Sequence, residues 1–102
     1  MKFLAMSRRV AGLTDAQVAA QAAAEALQAF RLMRDGVFEQ LWFSPDWRGA
    51  VLVMHAGTRE EAQAALDSLP MVRERTIEFD LWQLDPFDHY QRLFATEHRA
   101  AL

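Results

Sequence analysis

The stretch that decides the architecture is Val37-Phe38-Glu39-Gln40-Leu41-Trp42-Phe43, then Ser44-Pro45-Asp46-Trp47-Arg48-Gly49, then Ala50-Val51-Leu52-Val53-Met54-His55-Ala56. Its outer parts are rich in β-branched and aromatic side chains, which suit a pleated, half-buried surface. Its middle part supplies turn chemistry through serine, proline, aspartate and glycine. The whole reads as a β-hairpin. Outward from the hairpin, each side meets a helix. Toward the N-terminus, Leu13-Thr14-Asp15-Ala16-Gln17-Val18 has the layout of a capping box with a staple: Thr14 as N-cap, Gln17 three residues on, Leu13 against Val18. The alanine-rich run that follows carries Leu27, Phe30 and Met33 on roughly one face and reaches Arg34-Asp35-Gly36, where glycine can take the left-handed conformation past a helix end. Toward the C-terminus, Thr58-Arg59-Glu60-Glu61 repeats the capping logic, and Ala62, Ala65, Leu66 and Leu69 mark the buried stripe of a shorter helix ending at Pro70. Further out lie a strand over Lys2–Ser7, too short an apolar run for a helix, and a strand over Thr76–Leu84. Asp85-Pro86-Phe87-Asp88 reads as an N-cap followed by proline, predicting a terminal helix over 86–95 and a frayed tail over 96–102.

The order βαββαβ within one domain, residues 1–95, is the ferredoxin-like split βαβ. It is an α+β fold with an antiparallel sheet in the order 4-1-3-2, two main helices on one face and a short terminal helix. Composition agrees: 102 residues, 52% hydrophobic, with four glycines and three prolines, describe one globular core. Eleven basic against fourteen acidic residues, net −3, argue against a duplex nucleic-acid binder, which needs a basic stripe. The absence of cysteine excludes disulfides, thiolate nucleophiles and thiolate metal sites. Apolar runs fall short of the ~20 residues a spanning helix needs. Met1–Val10 lacks the charge order of a secretion signal, so a cytoplasmic protein with no membrane partner is expected.

One face of such a sheet is bare in a monomer. Yet Phe3-Leu4-Ala5-Met6 and Val51-Leu52-Val53-Met54 are apolar on both sides. A short terminal helix cannot cover four strands, so a second subunit packed face to face is expected. The fourth strand alternates, with Ile77, Phe79 and Leu81 on one side and Glu78, Asp80 and Trp82 on the other. The latter three would point into the dimer, with Gln40 and Trp42 from the second strand. From the third strand either Leu52 and Met54 or Val51, Val53 and His55 would join them.

Glu78 and Asp80 stand about 7 Å apart by strand rise. Enclosed, two such carboxylates cannot both ionise freely, so at least one would have a raised pKa suited to acid–base work. Glu78 is the candidate proton shuttle, with protonated Asp80 or Gln40 as donor to an enolate oxygen. The alternative is that both lie at a wet barrel mouth or pair with Arg8, Arg48 or Arg75 of a partner. His55, at a strand end, is a candidate relay or else half-exposed and inert. His89 and His98 fall where exposure is expected, and no spacing reproduces a metal motif. Gln40, Trp42, Trp82 and Met54 are candidate ligand contacts; Trp47, Phe38, Phe43 and Phe87 add aromatic surface that serves packing equally well. Ser7, Ser44 and Ser68 lack the glycine-flanked elbow of a serine nucleophile.

Phe3-Leu4, the segment Gly36 to Leu41-Trp42, Leu69-Pro70 and Ile77-Glu78-Phe79-Asp80, in this order across Lys2–Leu84, resemble the dimeric α+β-barrel superfamily and its muconolactone isomerase-like group. The resemblance implies a homodimer or larger assembly, a pocket between sheet and helices or between sheets, and no cofactor. It also implies basic residues late in the first strand and after the Leu-Trp pair, with histidine before that pair. This chain has Met6, Phe43 and Gln40 there, so a more neutral, more apolar ligand than a carboxylated lactone is expected. The expected function is a cofactor-free isomerase that moves a proton in a small unsaturated lactone or carbonyl compound. The rivals are a cofactor-independent monooxygenase of the same superfamily and a non-catalytic module that binds a small molecule or only dimerises.

Overall fold

The structure is a computed structural model that describes residues 1–95 and 97–101. Its elements are β1 (Lys2–Arg9), α1 (Asp15–Ala19), α2 (Ala22–Arg34), β2 (Phe38–Ser44), β3 (Gly49–His55), α3 (Arg59–Asp67), α4 (Pro70–Arg73) and β4 (Ile77–Leu84). The four strands form one antiparallel sheet in the order β2-β3-β1-β4, the order 4-1-3-2 read from the other edge. Among the described residues no helix is long and apolar enough to cross a membrane.

Strand alternation sorts the side chains into two layers. On the helix side, Phe3, Ala5, Phe38, Leu52 and Met54 are buried and pack with Ala62, Leu66 and Leu69 from the α3 segment. Ile77, Phe79 and Leu81 lie on this side less completely covered. The other side carries Leu4, Met6, Val51 and Val53, half-buried by one another, between Trp42 and Trp82. A register shift between Phe38 and Gln40 keeps Phe38 opposite Met54 in the core while Gln40 opposes Val53 on the open face. The parity left open by the sequence on β3 is thus resolved: Val51, Val53 and His55 share the open face, and Leu52 and Met54 face the helices.

Both capping motifs form. Thr14 Oγ1 accepts from Gln17 N–H at 3.2 Å while Gln17 Oε1 accepts from Thr14 N–H at 2.7 Å, and Thr58 Oγ1 accepts from Glu61 N–H at 3.1 Å. The single long first helix is corrected to two, because the chain bends at Ala20-Gln21. There Gln21 turns its side chain to accept a hydrogen bond from the buried Thr76 hydroxyl at 2.6 Å. The expected stripe of α2 is corrected too. Leu27, Phe30 and Met33 are about half-exposed, whereas Glu25, Gln28, Ala29 and Leu32 turn inward. Periodicity offers this helix two apolar faces, and the polar anchors choose between them. Gln28 donates to Ser68 at 3.0 Å, and Glu25 accepts from Met71 N–H at 3.2 Å.

Pro70 begins α4 rather than only ending α3, the first helical position being one proline tolerates. The terminal α-helix over 86–95 does not form. Asp85–Asp88 is irregular, and His89–Phe94 is a 3₁₀ turn whose N-cap Asp88 makes no side-chain bond. Positions 96 and 102 of the expected frayed tail lie outside the described residues.

Gly49 sits where β3 leaves the hairpin turn. A Cβ there would strike the Ser7 carbonyl oxygen and the Trp47 indole. Gly49→Ala is therefore expected to lower the unfolding free energy by about 1–3 kcal/mol, the usual range for overpacking, read from urea denaturation midpoints.

Candidate functional site

The structure brings several of the sequence-derived residues onto one face. In the β1–β4 register Arg8 opposes Glu78, Met6 opposes Asp80 and Leu4 opposes Trp82. Arg8 Nη1 pairs with Glu78 Oε2 at 2.6 Å, and its Nε reaches Asp80 Oδ2 at 3.5 Å. The Asp80 hydrogen bond and the Glu78 charge raise the Arg8 pKa. All three side chains are half-exposed. These carboxylates therefore meet an arginine of their own chain across the strand pair, and no other residue is needed to account for them.

Gln40 and Trp42 share that face on the opposite edge of the sheet, where the Trp42 indole donates to Gln40 Oε1 at 3.0 Å. His55 lies on the same face but at the other end, against Glu39 at 2.8 Å. Lys2 stands 3.5 Å from that carboxylate. The His55 hydrogen bond, more than the Lys2 charge, holds Glu39 below the ordinary carboxylate range. Met54 does not join these residues. It is fully buried on the helix side, because β3 alternation turns it toward α2 and α3.

A partly open, largely apolar space lies between the sheet and the helices. A cavity of about 270 Å³ is lined by Ser7, Glu25, Phe79 and other mostly apolar side chains, with Arg9, Arg48 and Phe43 bordering it. Glu25 comes from α2 and is half-buried. Burial pushes its carboxyl above the ordinary range, against the opposing pull of the Met71 N–H and the Arg73 charge. Met71 N–H engages Oε1 at 3.2 Å and fixes this side chain on the cavity wall. Ser7 Oγ accepts from Ala50 N–H at 2.7 Å, so its own hydrogen can be donated to a ligand.

Asp15 on α1 pairs with Arg9 at 2.7 Å and stands 3.8 Å from Arg48. The Arg9 hydrogen bond, then the Arg48 charge, lowers its pKa. Arg48 holds a positive φ of 58°, a conformation costly for a residue with a Cβ and imposed here by the tight hairpin turn. Two cations thus stand beside the cavity although Met6 and Phe43 replaced those the resemblance implied.

Sequence reasoning missed Glu25, Ser7, Arg9 and Arg48 as a group. One signal was present: Glu25 is the only charged residue between Ala16 and Phe30. Among the described residues no cluster of three or more His, Asp or Glu side chains is placed to hold a metal ion.

A four-stranded antiparallel sheet with helices on one side, and a carboxylate-bearing cavity between the two layers, defines a small ferredoxin-like α+β protein. The family is narrower than that class. The sequence profile of muconolactone delta-isomerase matches residues 1–84, and the chain belongs to this family. Among solved structures, muconolactone isomerase superposes with a TM-score of 0.71 at 20% identity, covering 87% of this chain and 93% of that one. The 5-chloro-2-hydroxyhydroquinone dehydrochlorinase TftG of Burkholderia phenoliruptrix AC1100, in complex with 2,5-dihydroxybenzoquinone, superposes with a TM-score of 0.69 at 17% identity, covering 87% and 98%. A search of curated proteins gave no match.

Proposed function

We propose that this protein is a cofactor-free isomerase that shifts a proton within a small unsaturated lactone, with Glu25 as the shuttling base. The observation that carries this reading is a half-buried carboxylate, raised in pKa by burial, on the wall of a largely apolar cavity. Such a group is basic enough to take a proton beside a carbonyl and acidic enough, once protonated, to return it. Glu25 removes the proton, and the electron pair moves through the conjugated system onto the carbonyl oxygen. The Ser7 hydroxyl donates to that enolate oxygen. Protonated Glu25 then delivers the proton further along the system, the double bond shifts, and the carboxylate is regenerated. No net oxidation occurs. The role first given to Glu78 and Asp80 passes to Glu25, since those two side chains are half-exposed beside Arg8 and do not line the cavity.

Arg9 and Arg48 suit an anionic group on the substrate, which would displace Asp15 from them. Arg48→Gln is expected to raise KM for a carboxylated lactone about tenfold with little change in kcat, since this contact forms before the chemical step. The homodimer is retained in this reading. Leu4, Met6, Val51 and Val53, between Trp42 at 65% and Trp82 at 47% exposure, form an apolar sheet face suited to a second copy.

The test is turnover of muconolactone, followed by absorbance and by exchange of the migrating hydrogen in deuterium oxide. Isomerisation with exchange supports the assignment. Oxygen uptake with an aromatic substrate would favour a monooxygenase. Ligand binding without turnover of any lactone, insensitive to Glu25→Gln, would favour a binding module.

A further inference from the structure

Residues 11–20, between β1 and α2, are fixed at both ends on one buried residue. Val10 N–H donates to the Thr76 carbonyl oxygen at 3.0 Å, and the Thr76 hydroxyl donates to Gln21 Oε1 at 2.6 Å. Thr76 is 1% exposed, so both anchors reach the core. A surface segment of this length with its ends drawn together is an Ω-loop, packed by its own side chains. Here Leu13 and Val18 are half-buried, the other side chains are exposed, and the capping box ties Thr14 to Gln17 within the segment itself. Among the described residues, Asp15 makes the only hydrogen bond or ion pair from this segment to the chain beyond it, with Arg9 at 2.7 Å and Arg48 at 3.8 Å. Val18 lines the cavity from this segment, and both arginines border it. Gly12 turns the chain at φ 86°, and a Cβ there would meet nothing within 4 Å, so the turn into α1 stands clear of the body. A segment with so few buried contacts opens at little cost. Its ion pairs hold it weakly, because Asp15 and Arg48 are exposed to water.

We propose that residues 11–20 form a flap over the cavity, latched by Asp15 on Arg9 and Arg48, and that a ligand carboxylate displaces the latch by taking those two arginines; this rests on the ligand site proposed above. Asp15 is an internal stand-in for the acid group of the ligand. β1 and the hairpin hold the arginines and the flap holds the aspartate, so exchanging one carboxylate for another moves the flap and leaves the sheet in place. A ligand of either charge enters only while the flap is open, and its association rate scales with the open fraction. Only an acid keeps Asp15 displaced once bound.

The test uses the full chain. Because the protein has no cysteine, Ala19→Cys, an exposed position of α1, carries a single spin label. With no ligand present the label is expected to be restricted, and to gain a mobile component when Asp15→Asn is added; circular dichroism checks that the fold persists. An unchanged spectrum overturns the proposal. Saturating muconolactone should free the label in the chain that keeps Asp15, whereas its uncharged methyl ester should not. A label that stays restricted with the acid bound overturns the exchange of carboxylates. Stopped-flow tryptophan fluorescence, with the Trp47 indole bonded to the Ser7 carbonyl oxygen beside the cavity, follows association. Asp15→Asn is expected to speed association of the ester about 3- to 5-fold, the worth of an exposed ion pair. A faster rate for the acid alone would make Asp15 only a charge neighbour of the arginines and overturns the flap. A label freed by Asp15→Asn, with neither lactone altering the fluorescence, overturns the isomerase reading and leaves the latch standing.

Discussion

Replacing Glu25 by glutamine is expected to lower kcat for lactone isomerisation by about 10²- to 10⁴-fold, the usual worth of a positioned general base. The amide keeps an oxygen for the Met71 N–H, so α2 should stay docked on α4. Glu78→Gln is expected to change kcat less than ~3-fold, because that side chain is an exposed partner of Arg8. Equal losses in the two variants, or none in Glu25→Gln, would remove Glu25 from the mechanism. The pH dependence gives a separate readout. Burial raises the Glu25 pKa, so the acid limb of kcat/KM should fall at a pH above the ordinary carboxylate range and vanish in Glu25→Gln.

The stability sign is set by the same shift. A carboxyl whose folded pKa is raised contributes stability fully below its unfolded pKa and loses it as pH rises through the folded value. The melting temperature of Glu25→Gln should therefore rise relative to the parent as pH increases from the ordinary carboxylate range, about pH 4, through the raised folded value. A relative fall across that range would mean that the carboxylate is stabilised, not strained, by its surroundings.

The second large effect concerns the open sheet face. Val53→Asp is expected to convert a micromolar dimer to monomer, raising the dissociation constant at least ~10³-fold, since an unpaired charge buried at the centre of an apolar contact costs several kcal/mol. Val53 faces away from Leu66 and Phe3, so the monomer should keep its circular dichroism spectrum. Trp42 and Trp82 flank this face, and their fluorescence should shift to longer wavelength as dissociation exposes them. A Val53→Asp chain that sediments as the parent does would place the subunit contact elsewhere.

Much of the fold was legible in local sequence. Thr14 and Thr58 each precede a residue able to complete a cap, and capping depends on neighbours three positions apart, so both helix starts could be read directly. The alternation of Ile77 to Trp82 assigned the two faces of β4 because a strand offers only two. Elsewhere local patterns were compatible with more than one structure. The parity of β3 was ambiguous because Val51 to Met54 are all apolar. The exposed stripe of α2 was misjudged because Gln21, Gln28 and Glu25 find partners on Thr76, Ser68 and Met71, residues distant in the chain.

The same division holds for the site. Glu78 and Asp80 stood out because two acids at alternate positions of a strand share a face, a local fact the structure keeps. Their pairing with Arg8 depends on the β1–β4 register, which no local pattern specifies. Glu25 gains its raised pKa only when folding of α2 withdraws it from water, with the Met71 N–H of α4 pulling the other way, and Arg9 and Arg48 meet beside the cavity only after β1 and the hairpin are aligned. The sequence by itself determined the element order, both capped helix starts and an apolar sheet with two sides, because each follows from contacts within a few residues. Tertiary structure alone decided which carboxylate is withdrawn from water and which remains paired at the surface, because desolvation and charge pairing depend on neighbours that folding brings from far along the chain.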